Sequence, residues 1–218
     1  MQQERETAST NQKFGLLLFV CILELLMSAF APSTQAGDVL AMLFLVILPP
    51  LVVKLAGASR RFVIAGWIIL AVGCTVAAIG QIIHAPDVVA IAYNVMQLLI
   101  QLFIAWVIMR ALASHAHMTA QSIFAASSLY VMIGIVFAKL YAVIQSITGT
   151  PFLSAARAIV PSDFIYYSFV TLTTIGFGDL VATSEIGRIL SVIESITGSL
   201  YLVTVVALIV SNVHPHRN

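Results

Sequence analysis

The residues that point most directly to chemistry are those from 171 to 180, TLTTIGFGDL. This run is polar and carries Gly176 and Gly178 one residue apart, in a chain that is otherwise almost continuously apolar. Glycine tolerates a positive φ, so glycines at alternating positions let consecutive backbone carbonyls point to the same side. Four copies of such a strand around an axis would stack rings of carbonyl oxygens, with a hydroxyl ring from Thr174 at the inner end. Rings of this kind replace the hydration shell of a monovalent cation.

The segment before this run has the length of a half-helix. Residues 161–163, Pro-Ser-Asp, predict a helix start with Ser162 as the N-cap and an acid in the first turn. The apolar stretch that follows is too short to cross a bilayer, which takes roughly 20 residues. We therefore expect a re-entrant helix over about residues 163–173 that ends near the midplane. Its C-terminal end carries the negative end of the helix dipole, which favours a cation at the centre of the membrane.

The rest of the chain predicts membrane-spanning helices. Its 218 residues are 61% hydrophobic and 9% charged, with a mean hydropathy of +1.05, which excludes an ordinary soluble domain. The predicted fold class is an all-α membrane protein with six transmembrane helices and a re-entrant pore helix and loop between helices five and six. The six apolar segments lie at about 14–31, 38–55, 62–84, 88–111, 121–147 and 185–211.

The predicted helices divide the chain into four parts. A tail of residues 1–13 precedes a four-helix bundle over residues 14–113, and a pore module over residues 119–211 precedes a tail of residues 212–218. We expect no soluble gating, catalytic or nucleotide-binding domain in addition to these parts. The net charge of +1 gives no basis for nucleic-acid binding.

The distribution of lysine and arginine predicts the orientation of the chain. With the N-terminus inside, only Arg157 and Arg188 lie outside, and Lys139 lies within a helix. The basic residues on the inside would be Arg5, Lys13, Lys54, Arg60, Arg61, Arg110 and Arg217. We therefore expect a multi-pass protein of the cell inner (plasma) membrane with both termini cytoplasmic. A signal peptide cleaved after residues 29–31 is an alternative, although Glu24 interrupts its apolar run.

The pattern T-x-T-T-I-G-F-G-D resembles the signature of potassium channels, T-x-x-T-x-G-[YF]-G-D. The resemblance covers helices five and six, and for the first four helices it rests on their number alone. It implies a homotetramer in the lipid bilayer, with an outer helix, a pore helix and an inner helix in each subunit. K⁺ ions would be the permeant ligand, and no cofactor is implied. The carbonyl ligands of K⁺ would come from Thr174, Ile175, Gly176 and Phe177, and Gly178 would complete the outer turn.

The resemblance also assigns residues that support the filter. These are Tyr166, Tyr167, Thr173 and Asp179, of which the tyrosines match aromatic positions that surround the filter and the aspartate braces it from behind. Two positions depart from the family pattern. Phe177 replaces the commoner tyrosine, and Val170 stands where some bacterial relatives carry a glutamate. Both departures leave the filter with fewer side-chain ties.

Helix six resembles the inner helix of the same family. Gly198 falls at the hinge position, where a missing side chain lets the helix bend. The residues predicted to face the conduction path are Ser199, Leu202, Val206 and Val210. A ring of leucine or valine can close a pore by dewetting, although the same helical spacing also fits simple packing.

Three charged residues within the predicted helices need partners. Lys139 and Glu194 both lie about nine residues from the outer ends of their helices, at a depth of roughly 14 Å. We predict that they form a buried ion pair behind the pore helix, with snorkelling of Lys139 as the alternative. Glu24 is expected to face a polar stripe on helix four, which consists of Asn94, Gln97 and Gln101.

The predicted function is a potassium-selective channel that conducts K⁺ passively through a tetrameric pore. It is not expected to be voltage-gated, because helix four carries Arg110 without the repeated arginines of a voltage sensor. The alternatives are a non-selective monovalent cation channel, a channel-like regulatory subunit or, in another class, a secondary transporter built from inverted repeats. An enzyme is not expected, because no histidine or cysteine cluster has the spacing of a metal site. The gating stimulus is left open, with His115 and His117 as titratable candidates.

Overall fold

The computed structural model describes residues 15–27, 51–52, 60–82, 84, 86–113 and 120–213. Six helices are defined within these residues: α1 (Gly15–Met27), α2 (Arg60–Ile82), α3 (Pro86–Ala113), α4 (Ala120–Thr148), α5 (Pro161–Leu172) and α6 (Glu185–Val213). Residues 51 and 52 are also helical. The tail of residues 1–13 and most of the predicted second helix lie outside the described residues.

Three of the described helices are long and apolar enough to cross a membrane. The qualifying spans are Asp87–Arg110 in α3, Ile123–Thr148 in α4 and Glu185–Val205 in α6. The described residues are therefore mostly helical, as predicted, and include three candidate membrane-spanning helices.

The first core lies where α1, α3 and α4 meet. Leu17, Ile100 and Met132, one from each helix, are completely or almost completely buried in it. Helix α3 packs along α4 on one side and along α2 on the other. Since lipid tails are as apolar as leucine, these contacts stabilise the bundle through close packing more than through removal of apolar surface from water.

The second core joins α4 and α5 beneath the loop that connects them. Tyr141 of α4 stacks on Phe152 with ring centroids 4.6 Å apart, and it meets Tyr167 of α5 edge-on at 5.6 Å. Aromatic pairs in these arrangements are favoured by the ring quadrupoles in addition to their burial. These ring contacts hold the loop against α4 and α5.

A short antiparallel pair of strands links this loop to the chain that follows the 171–180 run. Strand β1 (Leu153–Ser154) pairs with strand β2 (Val181–Ala182), with Leu153 opposite Ala182. The Thr183 N–H donates to the Phe152 carbonyl at 3.0 Å and extends the pairing. Both ends of the segment containing α5 and the run are thus tied to each other.

Helix α5 and its N-cap begin two residues earlier than expected. Val160 is the N-cap and Pro161 occupies the first helical position, so the prediction of Ser162 as the N-cap was wrong. Proline suits the first helical turn because its fixed φ is helical and its missing N–H has no helical partner there. The capping acceptor comes from Asp163, whose carboxylate accepts from the Val160 N–H at 2.8 Å. At 12 residues, α5 is too short to span a bilayer, as predicted.

Candidate ion-conducting site

The 171–180 run leaves α5 in a conformation that the last turn of the helix holds in place. The Thr174 N–H donates to the Thr171 carbonyl at 3.0 Å, and the Ile175 N–H donates to the Val170 carbonyl at 3.0 Å. These two bonds use carbonyl groups that a helix C-terminus otherwise leaves without partners. The start of the run is therefore anchored to the half-helix.

The backbone of the run alternates between the left-handed region and ordinary negative φ. Thr174, Gly176 and Gly178 have φ values of +60°, +57° and +79°, while Ile175 and Phe177 between them do not. Such alternation turns successive carbonyls to one side of the strand, which an ordinary strand does not do. The positive φ of the glycines agrees with the sequence analysis, whereas that of Thr174 was missed.

Thr174 is the unusual member of this series, since a left-handed conformation costs a residue with a Cβ roughly 1–2 kcal/mol. Conformations of this kind persist where the surroundings dictate them, and they concentrate at functional sites. Here the N–H groups of Thr174 and of Ile175 are both bonded to α5. The sequence contained an indication of this conformation, because Thr174 and the two glycines stand at every second position.

Aromatic stacking and a carboxylate support the carboxy-terminal half of the run. The Phe177 ring lies parallel to that of Tyr166, with centroids 6.5 Å apart and an interplanar angle of 8°. The Asp179 carboxylate interacts with the Tyr166 hydroxyl. Tyr167 instead faces α6, where its hydroxyl is hydrogen-bonded to the Ser191 hydroxyl at 2.6 Å. Of the two predicted aromatic supports, Tyr166 therefore contacts the run and Tyr167 joins α5 to α6.

An open pocket of about 500 Å³ lies between the run and the first two turns of α6. Its lining includes Val170 and Thr171 of α5, Asp179 of the run and Arg188 of α6. Because Val170 is apolar, this position offers Asp179 no carboxyl partner. Of the two departures noted in the sequence, Val170 therefore lines open space next to Asp179, where a side-chain tie to the run is lacking.

Gly198 of α6 lies against the end of α5. A Cβ on Gly198 would come closer than 3.0 Å to the Leu172 carbonyl oxygen and within 2.8 Å of Leu172 Cδ1. Helix α6 runs without a break from Glu185 to Val213. The structure therefore gives Gly198 a packing role, and its role as a hinge stays a prediction.

The predicted pore-facing residues are described only in part. Ser199 and Leu202 are exposed on α6, with 44% of the Leu202 side chain accessible in the single chain. The side chains of Val206 and Val210 lie outside those that the structure describes. Both side chains therefore lie on the surface of the single chain, as residues that line a path between copies of the chain must.

The predicted ion pair between Lys139 and Glu194 was wrong. Glu194 is completely buried, and its carboxyl group is hydrogen-bonded to the hydroxyls of Tyr141, at 2.5 Å, and Ser168. Lys139 interacts electrostatically with Glu24 of α1 instead. Residues two apart on a helix point about 200° away from each other, so Tyr141 faces α5 and α6 while Lys139 faces the opposite side. Equal depth in the membrane did not imply a shared direction.

Glu24 faces the polar stripe of α3, as expected. The Gln101 side-chain amide donates to Glu24 Oε1, and both side chains are buried. Asn94 belongs to the same stripe but donates to the Ser146 hydroxyl of α4 at 2.8 Å. Together with Lys139, these contacts join the first helix and the α3–α4 pair through a polar cluster.

Comparison with known proteins supports an ion channel. Residues 129–214 match the family model for ion channels. The matched residues include most of α4, all of α5, the 171–180 run and α6, which are the elements that build the site described above. Comparisons with curated proteins and with solved structures produced no match. The carboxy-terminal part of the chain is therefore similar to an ion channel domain in a membrane protein.

Proposed function

We propose that the chain is the subunit of a potassium-selective channel whose filter is residues 174–178. The observation that carries this proposal is the left-handed φ at every second residue, Thr174, Gly176 and Gly178, directly after a 12-residue helix. Rings of backbone carbonyls built from such a strand replace the hydration shell of K⁺. The ligands would be the carbonyls of Thr174, Ile175, Gly176 and Phe177. The ion channel match over residues 129–214 supports the class of protein.

The proposed assembly is a homotetramer in the plasma membrane. Residues 173–179 are exposed in the single chain, including 56% of Ile175 and 67% of Phe177. A single strand provides only one wall of an ion path, so further copies are needed to surround the ion. Each subunit would have six spans with α5 re-entrant, and both termini would be cytoplasmic.

Conduction is proposed to be passive and independent of a voltage sensor. Arg110, in the last turn of α3, lies over the Trp106 ring with 5.4 Å between the guanidinium carbon and the ring centroid. It is the one basic residue in the sequence of α3. Since each charge that moves across the membrane supplies only about 2.3 kcal/mol per 100 mV, one arginine is too little for steep voltage gating.

A matched pair of glycine substitutions tests the role of the backbone. Gly176 and Gly149 have φ values of +57° and +65°, and a Cβ would meet nothing within 4 Å at either position. Alanine at either site therefore adds the same strain, roughly 1–2 kcal/mol, without a steric clash. Gly149 lies just after α4, away from the run.

The measurement is K⁺ flux from proteoliposomes that contain equal amounts of each purified variant. We expect Gly149→Ala to retain K⁺ flux and Gly176→Ala to lose either the flux or its preference for K⁺ over Na⁺. If both variants conduct K⁺ selectively and equally, residues 174–178 are not the filter.

A non-selective monovalent cation channel is the second candidate function. The observation that favours it is that Val170, which cannot bond to Asp179, lines an open pocket of about 500 Å³ beside the run. Discrimination against the smaller Na⁺ depends in part on how firmly the carbonyl rings keep their size. Equal K⁺ and Na⁺ fluxes through the unaltered protein would favour this candidate.

A further inference from the structure

We propose that Glu194 is a protonated carboxyl group, and that this neutral acid positions α5 against α4 and α6. The group lies at the junction of these three helices. Tyr141 comes from α4, Ser168 from α5 and Glu194 from α6. The proposal concerns a positioning residue, because Glu194 contacts no part of the 171–180 run among the hydrogen bonds of the described residues.

Counting hydrogens gives the protonation state. Three contacts need a hydrogen: Tyr141 to Glu194 Oε2 at 2.5 Å, Ser168 to Glu194 Oε1, and Ser168 to the Gly134 carbonyl at 2.6 Å. The two hydroxyls carry one hydrogen each, and the carbonyl carries none. With an ionised glutamate, only two hydrogens are present for three contacts. In one contact, two oxygens therefore face each other with no hydrogen between them.

A protonated glutamate removes this conflict. Glu194 then donates to Ser168, Ser168 donates to Gly134, and Tyr141 donates to the other oxygen of Glu194. Every oxygen of the junction has a partner and every hydrogen is used. Buried networks are stable when fully satisfied in this way and costly when they are not.

The electrostatic surroundings favour the neutral form as well. Glu194 is completely buried, and none of its contacts within the described residues is with a cation. The titratable groups that face it from α4 are Tyr141 and Tyr130, and Tyr167 of α5 lies next to Tyr141. None of these tyrosine hydroxyls can carry a positive charge that would balance an ionised glutamate. An isolated carboxylate in such a place is expected to take up a proton.

The junction lies one helical turn from the start of the filter strand. Ser168 and Leu172 are four residues apart on α5, and their partners on α6, Glu194 and Gly198, are also four residues apart. These two contacts set the register of α5 along α6. Loss of the proton from Glu194 would weaken the first contact and loosen the end of α5, from which the run begins.

Glu194→Gln tests the proposal, since glutamine is a neutral mimic of the protonated acid. Its amide N–H can donate to Ser168 while its carbonyl accepts from Tyr141. We expect Glu194→Gln to match the unaltered protein in thermal stability below about pH 4, where the glutamate is protonated in the folded and in the unfolded chain alike. As the pH rises above about 4.3, the ordinary pKa of a glutamate, the unfolded chain releases this proton while the folded protein keeps it, so the unaltered protein should lose thermal stability relative to the variant.

Infrared spectroscopy of the purified protein in lipid tests the protonation state without relying on flux. The difference spectrum between the unaltered protein and Glu194→Gln should contain the C=O stretching band of a protonated carboxyl group. The subtraction removes any such band from Glu24. A band from an ionised carboxylate in its place would overturn the proposal, and so would strong destabilisation by glutamine.

The effect on conduction rests on the proposed function. If the channel proposal holds, K⁺ flux through the unaltered protein should fall as the pH rises, while flux through Glu194→Gln should not. If neither protein conducts but the carboxyl band is present, the channel proposal fails and the assignment of Glu194 stands.

Discussion

Replacing Gly198 with alanine tests the packing between helix α6 and the end of the short helix α5. An added Cβ would come closer than 3.0 Å to the Leu172 carbonyl oxygen and within 2.8 Å of Leu172 Cδ1. The carbonyl also accepts a hydrogen bond from the Tyr130 hydroxyl at 3.4 Å. Because Leu172 is the last residue of α5, its backbone cannot retreat without moving the start of the 171–180 run.

The expected loss of stability is the difference between two opposing effects. Forcing a methyl group into this contact should cost about 3 kcal/mol, the upper part of the usual range for overpacking. Alanine returns about 1 kcal/mol, because it is the better helix former. The net loss of about 2 kcal/mol should lower the thermal midpoint by about 4–8 °C in a protein of this size.

Gly66→Ala is the matched control. Gly66 is also buried within a helix, but its added Cβ would lie 3.5 Å from the Phe103 ring, an ordinary van der Waals distance. This variant should keep the helical gain and raise the midpoint by about 2–4 °C. The two substitutions are chemically identical and should have opposite effects.

Thermal unfolding followed by far-ultraviolet circular dichroism in detergent measures both midpoints. A Gly198→Ala protein as stable as the unaltered protein would refute the close approach of α6 to Leu172. Unchanged stability combined with altered flux would instead support the hinge role predicted from the sequence.

Two further predictions concern charged groups. The Arg157 guanidinium, which bonds to both oxygens of Asp163 at 2.5 and 2.8 Å, lowers the pKa of Asp163 below its ordinary value of 3.8. Because this pKa is lowered, the ion pair contributes fully to stability at neutral pH, and its contribution is lost as the pH falls through the acid range. We therefore expect Asp163→Asn to lower the free energy of unfolding at neutral pH by about 1 kcal/mol. Below about pH 4, the variant should lose less stability than the unaltered protein. If the stability of the two proteins falls in parallel as the pH is lowered, this prediction is contradicted. In double-mutant cycles, Glu24→Gln and Lys139→Met should couple by more than about 0.5 kcal/mol, whereas Lys139→Met and Glu194→Gln should be additive within that limit. Coupling between Lys139→Met and Glu194→Gln, with additivity between Glu24→Gln and Lys139→Met, would instead support the ion pair predicted from the sequence.

The positions of the helices could be predicted from the sequence because length and hydropathy decide them. The segments expected at 62–84, 88–111, 121–147 and 185–211 correspond to helices α2, α3, α4 and α6, with ends that differ by only a few residues. The start of α5 was missed, since Ser162 has a good capping side chain but Pro161 fits the first turn better. Strands β1 and β2 have two residues each, too few to produce a pattern.

The partners of buried charges could not be predicted in the same way. The depth of Lys139 and of Glu194 follows from the rise per residue, which is the same in every helix. The direction of each side chain depends on which face of α4 meets α6, and this is decided by packing across the whole module. Tyr141 and Ser168, the actual partners of Glu194, gave no signal of their own because a tyrosine and a serine are ordinary in such helices.

The central claim is that residues 174–178 form a filter for K⁺. The most direct test is ion flux from proteoliposomes holding the purified, unaltered protein, driven first by a K⁺ gradient and then by an equal Na⁺ gradient. We expect K⁺ flux with little or no Na⁺ flux at neutral pH. Equal fluxes of the two ions would contradict the claim of selectivity, and no flux of either ion at any pH tested would contradict the channel itself.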